Sequence, residues 1–204
     1  MSCPGEILRE NKTVVAFALF LIFIGFLLGA RTDLGKAVLE RASKQDPNEF
    51  INIRATAYSI WQNNALIALR GIIPVFTLQI AVFSVGVVFG AIYSVFTFQS
   101  YLVIFTTFGA LELFAAFLSV VAGLLFIKYV VLKITGIPIS LMDTCTSAFV
   151  LFLCGIGLLI PSAIFEAFLL YCAISSPTNM TGVIILGSLT SAILIYLTVR
   201  GSRK

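Results

Sequence analysis

From Gly71 to Leu111 the chain runs for 41 residues without an Asp, Glu, Lys or Arg, and from Thr144 to Val199 it carries only one of them, Glu166. A helix of about 20 apolar residues crosses a hydrocarbon core of roughly 30 Å, so each run is long enough to pass through a bilayer. These two runs predict an all-α, polytopic membrane helix bundle. They also isolate Glu112 and Glu166, because an ionisable group inside such a run is costly and seldom faces lipid.

Composition agrees with that class. The chain is 60% hydrophobic and 11% charged, where a soluble domain averages about 25% charged. Most of its charged residues precede Gly71. With 204 residues and this bias, the chain reads as one integral membrane domain over 1–204, multi-pass in the cell membrane, with no separate soluble enzyme domain.

Five spans are predicted, at about 13–30, 72–93, 102–129, 145–172 and 182–199. The first reads as a retained helix and not as a signal peptide, since Glu6, Arg9, Glu10 and Lys12 precede it and Leu28-Gly29-Ala30 is a poor cleavage site. The third and fourth runs exceed the length needed to cross and must tilt, bend or break. Pro161 lies in the fourth, shortly before Glu166, where it removes a backbone donor. The polar segment 31–70 carries a helix start at Asp46-Pro47-Asn48 and apolar residues Phe50, Ile53, Ala57, Ile60 and Trp61 at helical spacing. This pattern predicts an amphipathic helix lying on the membrane or packing beneath it.

An odd number of spans puts the N-terminus and the C-terminal tail on opposite faces. Sorted this way, nearly all of the basic residues share the face of segment 31–70 and of Arg203-Lys204, so the positive-inside rule predicts an outer N-terminus and a cytoplasmic tail. Asn11-Lys12-Thr13 and Asn179-Met180-Thr181 are glycosylation sequons on the predicted outer face.

The net charge of +4 does not point to nucleic acid, because the basic residues flank apolar runs and form no stripe interleaved with aromatic residues. Cys3, Cys145, Cys154 and Cys172 show no paired spacing, and histidine is absent, so neither a metal site nor a cofactor is expected. Serines without a histidine base, and spans without aspartate, give no catalytic constellation. No enzyme activity is expected.

The candidate functional residues are therefore Glu112 and Glu166. Each can be a structural pin, hydrogen-bonded to a backbone carbonyl or to Gln79, or part of a path for protons, cations or a cationic substrate. Gly109 and Gly123 fall on the face of Glu112, together with Ala116 and Ser119, while Phe114, Phe117 and Leu118 lie elsewhere. Gln79, Gly86, Gly90 and Ser94 form a similar face on the second span, with small residues four apart that permit close backbone approach. These two faces are expected to pack against each other. Asn63-Asn64 before the second span suits the capping of a helix start.

The order and spacing of Trp61-Gln62-Asn63-Asn64, Gly109-Ala110-Leu111-Glu112-Leu113-Phe114-Ala115-Ala116 and Ala163-Ile164-Phe165-Glu166-Ala167-Phe168 resemble the stage II sporulation protein M family over roughly residues 50–177. The resemblance implies a compact integral membrane bundle of about five helices with an Asn-Asn motif and two intramembrane glutamates. The family commonly has Pro-His-Gly before the first glutamate, where this chain has Thr107-Phe108-Gly109.

Together these features favour a non-enzymatic membrane scaffold that assembles with itself or with other membrane proteins in the bilayer. The alternative is a transporter or channel subunit with Glu112 and Glu166 in a polar pathway.

Overall fold

A computed structural model describes residues 3–31, 33, 52–175 and 177–200. It is all-α, with seven helices: α1 (Pro4–Glu10), α2 (Lys12–Ala30), α3 (Ile53–Ile72), α4 (Pro74–Val95), α5 (Phe98–Ile134), α6 (Leu141–Ser175) and α7 (Met180–Arg200). Five of them, α2 and α4 to α7, are long and apolar enough to cross a membrane. The expected helix start at Asp46-Pro47-Asn48 and the tail Arg203-Lys204 lie outside the described residues.

Helix α5 occupies the centre. Every residue from Phe117 to Leu125 is buried, so Phe117 and Leu118, expected away from the packed face, are core residues. A helix surrounded by others has no lipid face, and a one-sided stripe does not describe it. α6 continues through Pro161 for 35 residues, and the two long runs remain helical through the bundle. α4 and α5 each include a stretch with the wider π-helical turn, at Ile80–Val87 and Phe105–Gly109. Such stretches are rare and concentrate near functional sites.

Contacts between helices set their directions. Lys128 Nζ donates to Asn11 Oδ1 at 2.8 Å, and Gly5 packs on the Val199 carbonyl. One face of the bundle, here the proximal face, thus carries α1, the start of α2, the α5–α6 turn at Gly136 and the end of α7. The other, the distal face, carries the end of α2, the start of α3, the turn at Phe96–Thr97 and the α6–α7 connection. Asn64 of α3 meets Glu112, and Gly71 meets Ser119, so α3 runs through the bundle parallel to α5.

The amphipathic helix packs on α5 and α6, with Asn64 turned toward Glu112. α3 thus runs alongside the five apolar helices, and both α1 and the end of α7 lie on one face of the bundle. The two sequons are consequently on opposite faces, and the side chain of Asn11 is engaged with Lys128 and with the Ile7 carbonyl.

The glycines fix close contacts, with different partners from those expected. Gly86 and Gly90 pack on α2, where an added Cβ would overlap the carbonyls of Ile22 and Phe26. Gly25 and Gly29 of α2 make the reciprocal approach to α4. Gly123 meets Thr77 at the start of α4 and the Gly71 carbonyl, and Gly109 contacts α4 through the Phe89 ring. The face on α4 is therefore complementary to the glycine face of α2, which offers backbone against backbone, whereas α5 presents larger side chains there.

Candidate functional site

Glu112 follows the π-helical stretch of α5, and Glu166 lies five residues beyond Pro161 on α6. The antiparallel pairing of these helices brings the two carboxyls together at one cavity. Asn64 Nδ2 donates to Glu112 Oε1 across 48 positions of sequence. The Ser162 hydroxyl also reaches Glu112, and it donates to the Phe108 carbonyl at 3.2 Å.

Of the residues singled out in the sequence, Glu112, Glu166 and Asn64 come together, and Asn63 lies beside them. Gln79 does not join them: it is exposed on α4, and Asn64 takes the role foreseen for it. The expected capping by Asn63-Asn64 also fails. α3 begins well before them, capped by Asn52, whose side chain accepts from the Ala55 N–H at 3.2 Å. The pair is mid-helix; Asn64 is half-buried and turned to Glu112, while Asn63 is exposed at the rim of the cavity. Ser162 was indistinguishable in sequence from other membrane serines; only the depth it shares with Glu166, one helical turn away, hinted at its place.

Two cavities meet at Glu112. One, about 300 Å³, is bordered by Asn63, Asn64, Ser84, Phe89 and Tyr101. The other, about 680 Å³, contains both Glu112 and Glu166 and reaches Gln99, Ser100 and Met180 at the distal face. Glu112, Ile92, Ile104 and Phe108 border both. The π-helical stretches contribute Ser84 and Val85 from one side and Phe105 and Phe108 from the other. An aromatic series stands above the first cavity: Tyr93 meets Tyr101 edge-on at 5.1 Å between centroids, and Tyr101 stacks with Phe105 at 5.9 Å.

Toward the proximal face the packing closes. Gly71, Gly123 and Gly155 bring α3, α5 and α6 together there, and the Thr77 hydroxyl donates to the Gly71 carbonyl at 2.9 Å. The carboxyl pair therefore has open space on its distal side and a tightly packed layer on its proximal side. Among the described residues no group of acidic, cysteine or histidine side chains has the arrangement of a metal centre, and the four cysteines are free thiols.

No family model matches the chain, and neither a curated protein nor a solved structure matches it.

Proposed function

We propose that this is a non-enzymatic membrane protein of the transporter type, in which Glu112 and Glu166 take up and release a proton or a cation during passage across the bilayer. The observation that carries the reading is the meeting of the two carboxyls in one cavity that reaches Gln99, Ser100 and Met180 at the distal face. Intramembrane carboxyl groups commonly mark ion or proton routes. A site with access from one side and a packed layer on the other suits alternating access better than a continuous pore.

The scaffold reading is second. The small-residue faces that would serve assembly are taken up between helices of the same chain, so they present no free surface to another copy. Of the described basic residues, Arg9, Lys12, Arg70, Lys128, Lys133 and Arg200 belong to the proximal face, and Arg31 and Arg54 to the distal one. The positive-inside rule then makes the proximal face cytoplasmic.

Purified protein in liposomes tests the proposal. An imposed pH gradient or membrane potential should drive a flux of protons or of a monovalent cation above that of empty liposomes. Glu112→Gln and Glu166→Gln should fold and lose most of that flux. Wild-type protein passing no protons, sodium or potassium would remove the transport reading and return the pair to a structural role.

A further inference from the structure

A second large cavity is a groove of about 840 Å³ between α1, α2, α5 and α7, which neither carboxyl borders; its walls are apolar, with Leu19, Leu113, Phe114 and Ile195 among them. Among the described residues two charged side chains border it, Arg9 and Arg200, and both stand at its proximal end. They are exposed, and Arg200 rests over the Tyr196 ring at 5.5 Å. Glu6 of α1 is engaged with the Cys3 N–H at 3.1 Å, and neither Glu6 nor Glu10 borders the groove.

Its dimensions match one leaflet. Along α5 the lining extends from Phe117 to Phe105, about 18 Å at the rise of a helix, and half of a hydrocarbon core is roughly 15 Å. The position of the arginines is built, not accidental. Gly5 lets α1 lie against the Val199 carbonyl, and Ile7 is buried in the core, which holds Arg9 and Arg200 at the same end of the groove. From these observations we infer that the groove binds one anionic phospholipid of the proximal leaflet. Its phosphate lies between the two guanidinium groups, and an acyl chain runs along α5 toward Phe105. A guanidinium pairs with phosphate through forked hydrogen bonds. An anionic headgroup adds no ammonium to repel the arginines, which separates it from a zwitterionic one.

The test uses the full chain in mild detergent, with phosphatidylglycerol and phosphatidylcholine of identical acyl chains, and reads bound lipid by native mass spectrometry. Wild-type protein should retain phosphatidylglycerol in preference to phosphatidylcholine. The double variant Arg9→Gln, Arg200→Gln changes only exposed side chains, and it should weaken phosphatidylglycerol retention by about tenfold or more while leaving phosphatidylcholine unchanged. Ala110→Trp, which fills the groove without altering charge, should reduce retention of both. Equal retention of the two lipids by wild-type protein, or undiminished preference in the arginine double variant, would overturn the assignment.

Discussion

The side-chain amide of Asn64, in the middle of α3, donates to the carboxyl of Glu112 on α5, and this one hydrogen bond ties the most polar helix of the bundle to its central one. It makes α3 part of the interior and gives Glu112 a donor that no apolar neighbour could supply.

Asn64→Ala should therefore destabilise the protein by about 1–3 kcal/mol, the usual cost of leaving a buried polar group without its partner. Thermal unfolding in detergent would show it as a lowered Tm. Glu112→Gln should cost less, because the amide keeps both shape and accepting oxygen. Equal stability of wild-type and Asn64→Ala protein would mean that α3 is held by its apolar contacts alone.

The proximity of Glu112 and Glu166 predicts non-additivity. The two side chains border one cavity, so the double variant should lose less stability than the two single variants together, by about 0.5–3 kcal/mol. A double-mutant cycle in one detergent checks this, and strict additivity would separate the two side chains.

Glycine replacements should sort by their surroundings. Gly25→Leu and Gly90→Leu drive a side chain into the backbone of the facing helix and should each cost about 1–3 kcal/mol or more. Gly157→Leu meets nothing within 4 Å and serves as the control. A stable Gly90→Leu variant beside wild-type-like Gly157→Leu would detach α4 from α2.

The direction of α3 through the bundle predicts shared accessibility. In a background without the four native cysteines, Glu10→Cys and Ile137→Cys should respond alike to an impermeant thiol reagent on intact cells, with Phe98→Cys responding oppositely. Labelling of Glu10→Cys together with Phe98→Cys, and not with Ile137→Cys, would restore an odd count.

Much of this was legible in the sequence because the membrane simplifies it. Long uncharged runs can only be crossing helices, so the five apolar helices follow from composition, and a carboxyl left inside a run advertises itself. What was not legible is which helices meet. Small residues four apart on α4 mark a face for close approach, but α2 and α5 both carry small residues, and the choice between them is made by tertiary fit. The polar residues of α3 posed a similar ambiguity. Amphipathicity says that one side prefers a polar neighbour, and both headgroups and a buried carboxyl pair answer that description. The direction of this one helix decides whether α1 and the end of α7 share a face.

The position of α3 also dictates an order of biogenesis. With Gln62, Asn63 and Asn64 at its middle and an arginine near each end, this segment partitions poorly into lipid when it leaves the translocon alone. The groups that make its burial tolerable, Glu112 on α5 and the apolar surface of α6, are synthesised later. α3 is joined to α4 through Ile73 alone, and α4 begins on the face where α3 ends, so the two are expected to enter the bundle together as a hairpin, the apolar member carrying the polar one.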